Sequence, residues 1–207
     1  YDDLIDYWVS EPDDGIFDAM HKGINLSYGE IIGLINSDDY YTENSIELAV
    51  NHFKQYSVDF VFGDKLMLNE RLELKKVISV ETPSSLENLA LHVVHPTIFV
   101  RSSIYDALLF NSNLGIAADY AFLLDAFEKG FSFGKIKSVL AVMRLGGISS
   151  KFNLEAAAIA LRKIGPFKSC TIAIRQVLSS LLSLYFRFNP RPAKAFYFAL
   201  GWSSIDL

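Results

Sequence analysis

The stretch "GEIIGLINSDDYYTENS", residues Gly29 to Ser45, decides the prediction of the fold. Its run "IIGLI" is apolar, has the length of a strand and shows no alternation, which is typical of a strand covered on both faces. Two adjacent acids, Asp38 and Asp39, follow the run directly, and a helix is predicted from about Glu43 to Tyr56. The stretch therefore puts two carboxylates at the carboxyl end of a buried strand.

Strand and helix patterns alternate on both sides of this stretch. Residues 4–10, "LIDYWVS", predict a short strand, residues 16–27 a helix, and residues 58–64, "VDFVFGD", a second buried strand. Such alternation predicts a parallel α/β sheet, whose ligands gather at the carboxyl ends of the strands. Asp38 and Asp39 follow one such end.

Beyond Asp64 the pattern becomes mixed. We predict a hairpin that turns at Asn69-Glu70, a helix that Gly130 ends, and a flexible loop, "GGISS", before a helical C-terminal region. The predicted ranges are the hairpin at 65–80, a short helix at 85–94, a strand at 96–101, a helix at 117–130, a strand at 131–145, the loop at 146–150 and helices from Asn153 onward.

Charge is distributed unevenly along the 207 residues. Residues 154–207 contain seven Lys or Arg against two acids, which gives them a net charge of +5. The whole chain has a net charge of −5, so residues 1–153 have a net charge of −10. An acidic front is a poor match for polyphosphate, and we expect no nucleic-acid partner. The single cysteine, Cys170, excludes an internal disulfide, and the start of the chain has no secretory signal pattern, which favours a cytoplasmic location.

Several segments in order resemble bacterial family 2 glycosyltransferases of the GT-A fold. They are "SEPDDGIFDAMHKGINLSYGEIIGLINSDDYY" at 10–41, "VFGD" at 61–64, "HPTIFVR" at 95–101, "IAADYAFLL" at 116–124 and "RLGGISS" at 144–150. The resemblance spans roughly residues 5–150 and implies a GT-A-like, Rossmann-like mixed α/β sheet flanked by helices. The family's first strand, first helix and second strand would precede residue 5, so we expect an N-terminally incomplete catalytic domain at 1–150 and a helical, basic and apolar extension at 151–207.

By this resemblance, the chain transfers a sugar from a nucleotide-diphosphate sugar to a hydroxyl of a glycan or lipid-linked acceptor, with inversion, in surface-polysaccharide assembly. Departure of the diphosphate builds negative charge, which Mg²⁺ or Mn²⁺ neutralises with one or two carboxylates as ligands. The resemblance makes Asp39 the metal ligand, with Asp38 sharing the metal or facing the donor ribose. The alternative is that either acid caps the helix predicted at Glu43.

The acceptor hydroxyl needs a base, because an unactivated alcohol is a poor nucleophile. The resemblance assigns this role to Asp119, within "AADY". The alternative is an ordinary acid in the first turn of a helix, stabilised by the helix dipole.

Five further residues match positions that the resemblance associates with substrate. Lys22 and Arg144 would approach the donor phosphates, His95 would line the acceptor side, and Asp18 and Glu11 would bind the nucleotide or order their loop. Each has a plainer interpretation: a solvated helix or loop residue for the charged four, and a hydrogen-bonded structural residue for His95. Asp64 is expected to end a strand at the same edge, where it would support the metal or acceptor site or simply open the hairpin.

The C-terminal region has two interpretations. Residues 170–200 are basic and apolar and suit the interface of an anionic membrane, on the inner face of the cytoplasmic membrane; alternatively they pack on the catalytic domain or on a second subunit of a homo-oligomer.

Without its donor-binding segment, the chain alone is expected to have weak or no activity. A catalytically silent membrane-associated or oligomerisation module, and a nucleotidyltransferase with a similar core, are the alternative functions.

Overall fold

A computed structural model describes residues 3–79, 94–145, 185 and 190–205. The helices of these ranges are α1 (Ile16–Leu26), α2 (Ser45–Gln55), α3 (Ala118–Glu128) and α4 (Pro190–Ala199). The strands are β1 (Ile31–Gly33), β2 (Tyr40–Tyr41), β3 (Phe60–Asn69), β4 (Leu74–Ile78), β5 (Ile98–Arg101), β6 (Phe133–Arg144) and β7 (Ser203–Ser204).

The sheet is organised around β3. Along one edge β3 pairs in parallel with β6; along the other it pairs antiparallel, first with β5 and then with β4. β1 extends the sheet beyond β5, β2 pairs with the far edge of β6, and β7 pairs with β4. The sheet is therefore mixed, as the family resemblance predicts, and the wholly parallel sheet predicted from alternation is wrong.

Alternation along β3 divides the core between the two faces of the sheet. Phe60 and Phe62 pack on one face against α1 and α3, whereas Val61 packs on the other against α2. Neighbouring β5 repeats the division, with Val100 on the first face and Phe99 on the second. Helices thus cover both faces, which explains why the strands read as continuous apolar runs.

Some element predictions are confirmed and others are wrong. The hairpin, the helix before Gly130 and the long strand after it are all present, and Gly130 has the left-handed φ of 80° that suits a helix C-terminus. The strand predicted at residues 4–10 is absent, because no described strand pairs with that segment and its apolar side chains stay exposed, Leu4 by 75%. Asp64 lies inside β3 and does not end a strand. The helix predicted at 85–94, the loop at 146–150 and the helices predicted between 153 and 184 lie outside the described residues, apart from Val94.

The C-terminal residues 190–205 pack on the β3–β4 hairpin. Ala193 of α4 is buried with Leu72 and Leu74 of the hairpin, and Trp202 packs beside them. β7 adds a strand to β4, and Lys76 donates to the carbonyl of Leu200. Helix α4 is one helix within the region predicted to be helical, whereas β7 is a strand that the sequence did not predict.

Replacing Gly63 by Ala is expected to destabilise the protein by about 1–3 kcal/mol. An added Cβ would overlap the side chain of Leu140, which is fully buried, and would lie 2.8 Å from the carbonyl oxygen of Ser138. Gly23→Ala is the matched control, because a Cβ there meets nothing within 4 Å and helix α1 gains a better helix former. Urea unfolding of the three proteins measures the difference; equal stability of Gly63→Ala and the parent would contradict the packing described for β3.

Candidate active site

The acidic turn after β1 is closed by its own hydrogen bonds. The Asp39 backbone N–H donates to the Asn36 carbonyl over 3.1 Å, and the Asn36 side-chain amide donates to Asp39 Oδ2 over 3.0 Å. The backbone N–H of Arg144 donates to Asp39 Oδ1 over 3.1 Å. Asp38 is exposed. The alternative in which these acids cap a helix is wrong, because α2 begins at Ser45 with Asn44 as its N-cap.

Two hydroxyl groups attach this turn to β6. The Thr42 hydroxyl donates to the carbonyl of Val139 over 2.7 Å, and the fully buried Ser45 hydroxyl donates to the carbonyl of Leu140 over 2.5 Å. Both carbonyls belong to β6 residues just before those that pair with β2, and the Leu140 carbonyl also accepts the backbone N–H of Thr42 over 3.0 Å. The position of Asp39 is thereby set by β6.

Arg144 lies beside the acidic turn at the end of β6. Its Nε pairs with Glu70 Oε1 at 2.7 Å, and another guanidinium nitrogen donates to the carbonyl of Asp38. The guanidinium also lies 5.3 Å from the ring centroid of Tyr40. The hydrogen bond with Glu70 raises the pKa of Arg144. Arg144 therefore lies next to Asp38 and Asp39, and its positive charge is also paired with Glu70 of the hairpin.

His95 and Asp119 lie together on the first face of the sheet. His95 Nδ1 is 3.3 Å from Asp119 Oδ2, and His95 Nε2 is 3.0 Å from Asn36 Oδ1. Asp119 is in the first turn of α3, where its Oδ1 accepts the backbone N–H of Tyr120 over 2.7 Å. Asp119 does lie in the first turn of a helix, as its plainer interpretation states. In that position its second carboxylate oxygen faces His95.

Both of these ionisable groups line an apolar pocket. The remaining lining residues are aliphatic or aromatic and come from the end of β1, from β5, from the segment after β5 and from α3: Leu34, Ile98, Val100, Tyr105, Phe110, Phe122 and Leu123. The side chain of Asp119 is 26% exposed, so the pocket covers it in part and leaves it accessible to a ligand. The pocket has the character of a ligand site with a few polar groups at an apolar wall.

Residues 1–102, about half of the chain, match the model of glycosyl transferase family 2. This part of the chain belongs to glycosyl transferase family 2. The match includes the acidic turn and His95 but ends before Asp119 and Arg144.

Solved structures support the fold of the chain. It is similar to S. aureus TarS 1-349, with 14% identity and a TM-score of 0.50 over 85% of this chain and 52% of TarS. The structure of TarS 1-349 in complex with UDP-GlcNAc gives 14% identity and a TM-score of 0.52 over 87% of this chain and 55% of TarS. The chain therefore spans about half the length of these proteins, and the likeness shows the GT-A-like fold. No curated protein matches the sequence.

The other predicted donor residues of the family 2 segment form a separate cluster at the start of α1. Lys22 Nζ lies 3.2 Å from Glu11 and 3.1 Å from Asp18, and it donates to the carbonyl of Pro12. The backbone N–H of Asp14 and then Lys22 lower the pKa of Asp18, while Asp18 and then Glu11 raise the pKa of Lys22. Within the described ranges, no hydrogen bond or ion pair joins this cluster to the acidic turn, and the charge of Lys22 is offset by two carboxylates.

Sequence reasoning missed three residues of the site: Asn36, Glu70 and Lys65. Asn36 stands in the quoted motif, where its place at the end of the strand was a usable signal. Glu70 was identified only as part of a hairpin turn. Lys65 carried no signal, since a lysine in a hairpin strand suggests an outward position. Burial lowers the pKa of Lys65 to about 8, and the negative charge of Asp119 opposes part of that shift.

Asp64 has a structural role in the family 2 segment. It is 9% exposed, accepts the Ser79 hydroxyl over 2.9 Å and pairs with Lys135 at 3.7 Å. The buried carboxylate is thus held by partners on β6 and at the end of the hairpin. A role for Asp64 in supporting the metal or acceptor site stays a prediction.

The donor set of the acidic turn fits a divalent ion that shares its ligands with substrate. Among the described residues, no cluster of three or more His, Cys, Asp or Glu side chains could hold a metal ion. Asp39 and the exposed Asp38 supply two carboxylates, each of whose oxygens has lone pairs beyond those used in hydrogen bonds. Mg²⁺ and Mn²⁺ bind to one or two carboxylates with phosphate and water, so the residues fit such an ion.

Replacing Lys65 by Met is expected to increase stability in a pH-dependent way. The folded pKa of about 8 lies below the ordinary value of 10.5, so the cost of burying the charge is complete below about pH 8 and fades as the pH rises to about 10.5. The gain in unfolding free energy should be larger at about pH 7 than at about pH 10, measured by urea unfolding. Lys54→Met on the exposed side of α2 controls for loss of a lysine. A gain that grows between these pH values would contradict this account of Lys65.

Proposed function

We propose that the chain contributes the leaving-group and acceptor sides of a glycosyltransferase, which transfers a sugar from a nucleoside diphosphate sugar to a hydroxyl group. The observation that carries this proposal is the connection of Asp39 to Asp119. The two acids belong to different elements, yet Asn36 and His95 join them through contacts of 3.0, 3.0 and 3.3 Å. A group that stabilises a departing diphosphate and a base for the acceptor must lie at one reaction centre.

Asp119 has the position of the general base. It lies at the wall of the apolar pocket, where an acceptor hydroxyl within about 3 Å of its carboxylate would lose its proton as it attacks the anomeric carbon. The aliphatic and aromatic lining limits the access of water, which would compete with the acceptor for the same carbon. The pocket therefore supports transfer to an alcohol over hydrolysis.

Asp39, Asp38 and Arg144 form the donor side. Bound at the two acids, Mg²⁺ or Mn²⁺ would supply positive charge to the departing diphosphate. Arg144 is beside the same turn, and a diphosphate would compete with Glu70 for its guanidinium. The family match, and the UDP-GlcNAc complex of TarS, support a nucleoside diphosphate sugar as donor.

The proposal has five further parts. It places the transfer in cell-surface polysaccharide assembly, in the cytoplasm and with inversion at the anomeric carbon. It also includes weak activity of the chain alone and contact of residues 170–200 with a membrane or a second subunit. The membrane contact is supported by the +5 charge of residues 154–207. None of the helices in the described part of the chain is long and apolar enough to cross a membrane. A peripheral contact is the form of membrane association that the proposal includes.

Asp119→Asn is expected to reduce turnover by about 100- to 10,000-fold while donor binding is retained, because an amide cannot accept the acceptor's proton. UDP release from UDP-GlcNAc, in the presence of Mn²⁺ and an alcohol acceptor and with the protein in excess so that a weak activity of the chain alone is detected, measures turnover. Calorimetric titration with the same donor measures binding. Asp125→Asn, on the same helix and outside the pocket lining, is the matched control. Full turnover in Asp119→Asn would refute the base assignment.

Asp39→Asn is expected to weaken Mn²⁺-dependent binding of UDP-GlcNAc by about 10- to 100-fold, because the turn loses a charged oxygen ligand. Titrations with Mn²⁺ and with EDTA separate the metal-dependent part of binding. Asp106→Asn, an exposed acid outside the site, should bind the donor as the parent does. Donor binding that is insensitive both to EDTA and to Asp39→Asn would exclude the metal from the proposal.

A further inference from the structure

His95 joins two acids that belong to opposite sides of the proposed reaction. It begins the short helical turn His95–Thr97 before β5, and its side chain is 16% exposed. One ring nitrogen faces Asn36 Oδ1 at 3.0 Å and the other faces Asp119 Oδ2 at 3.3 Å. Both nitrogens of the imidazole are therefore committed to protein partners.

The orientation of the Asn36 amide is determined by Asp39. A carboxylate accepts hydrogen bonds only, so the side of Asn36 that faces Asp39 Oδ2 at 3.0 Å must be its NH₂ group. Its oxygen then faces His95, and an amide oxygen also only accepts. His95 Nε2 must carry a hydrogen to make this contact.

The other nitrogen of His95 has a different requirement. Asp119 Oδ2 and an unprotonated Nδ1 would present lone pairs to each other, and at 3.3 Å this contact is unfavourable unless one proton lies between them. With Nε2–H already donated to Asn36, neither member of the pair supplies that proton, so it must come from outside the pair. The pair is therefore arranged to hold a proton between its two members.

We infer that His95 is a positioning residue for Asp119, and that Asp39, acting through the amide of Asn36, fixes the tautomer of His95. The tautomer statement rests on hydrogen-bond geometry alone. Its catalytic meaning rests on the proposed function, in which Asp119 is the base. The relay couples the donor-side turn to the acceptor-side carboxylate, although 80 residues separate Asp39 from Asp119 in the sequence.

In the transfer step, the acceptor O–H bond breaks and its oxygen forms a bond to the anomeric carbon. The bond from that carbon to the diphosphate oxygen breaks, and the electron pair leaves with the diphosphate. The acceptor's proton moves to Asp119, where His95 Nδ1 can share it. The lone-pair conflict at the 3.3 Å contact is relieved by that proton, which favours its removal from the acceptor.

The test uses the ¹⁵N signals of the imidazole rings in the full chain, which has four histidines. Long-range ¹H–¹⁵N spectra at about pH 7 distinguish a protonated ring nitrogen from an unprotonated one. His95→Gln assigns the His95 signals by their loss. We expect a protonated Nε2 in the parent protein, and an unprotonated Nε2 there overturns the inference.

Asp39→Asn should move the hydrogen to the other nitrogen. The Arg144 N–H keeps the oxygen of the new side-chain amide at the Oδ1 position, so the NH₂ group of that amide faces Asn36. Asn36 must then turn its oxygen toward that NH₂ and its own NH₂ toward His95, whose Nε2 becomes an acceptor. We expect an unprotonated Nε2 and a protonated Nδ1 in this variant; a signal that stays at its parent position overturns the inference.

Exchanging the two side chains should restore the parent tautomer. In the double variant Asn36→Asp with Asp39→Asn, the carboxylate at position 36 accepts both from the amide at position 39 and from His95 Nε2–H. Asp38→Asn, whose exposed side chain is outside the relay, should leave the His95 signals unchanged. A double variant that keeps the Nδ1–H form, or an Asp38→Asn spectrum that shows the same switch, also overturns the relay.

These spectra need no donor, acceptor or turnover, so the relay can fail while the proposed function stands. Conversely, the exchanged double variant should regain the tautomer but not the Mn²⁺-dependent donor binding, because the carboxylate at position 39 is gone. Backbone amide spectra of each variant check that the fold is intact. If Asp39→Asn alone does not fold, the protonation of Nε2 in the parent protein still decides the tautomer statement.

Discussion

The parallel pairing of β3 with β6 brings the acidic turn, Arg144 and Glu70 of the candidate site together. It runs from Phe60 opposite Phe133 to Leu68 opposite Arg144, with register shifts on both sides of Asp64. Because β2 pairs with the far edge of β6, the acidic turn is brought to the end of the same strand. The β3–β4 hairpin extends from β3 past that end, which is why Glu70 meets Arg144. A different register would separate the cation, the turn and the hairpin from one another.

The charges of the site are arranged so that the acidic turn keeps its negative charge. Asp39 receives its hydrogen bonds from a neutral amide and a backbone N–H, while the guanidinium of Arg144 is paired with Glu70. Hydrogen bonds of this kind stabilise a carboxylate without cancelling its charge. The turn therefore stays attractive to a cation. The charges at the start of α1 are arranged differently. Lys22 is held between Glu11 and Asp18, whose negative charges weaken its attraction for a phosphate.

The sequence allowed prediction of the elements that have a local cause. The helix at 16–26, the hairpin and the helix that stops at Gly130 follow from apolar spacing and turn residues, and the mixed sheet followed from the family resemblance. The strand predicted at residues 4–10 failed because its apolar pattern found no partner strand. Asp64 was misplaced because a strand that continues into a hairpin has no local signal at the junction.

The site was predictable as a set of acids but not as a network. The position of Asp39 after a buried strand could be derived from the sequence. Its hydrogen bonds could not, since its Arg144 partner is 105 residues away and depends on the β3–β6 register. Asn36 and His95 are 59 residues apart and meet only because β1 pairs with β5. Lys65 was missed for a related reason: its burial depends on packing beyond its own strand.

The C-terminal residues pack against the hairpin turn that lies next to the acidic turn of the candidate site. Helix α4 and β7 cover the β3–β4 hairpin through Ala193 and Trp202, and the backbone N–H of Ile205 donates to the carbonyl of Glu73. Glu73 has a left-handed φ of 54°, a conformation that non-glycine residues keep only when neighbouring contacts hold it. The turn held in this way also carries Glu70, the partner of Arg144. The packing of residues 190–205 thus holds the hairpin end that carries Glu70 next to Arg144.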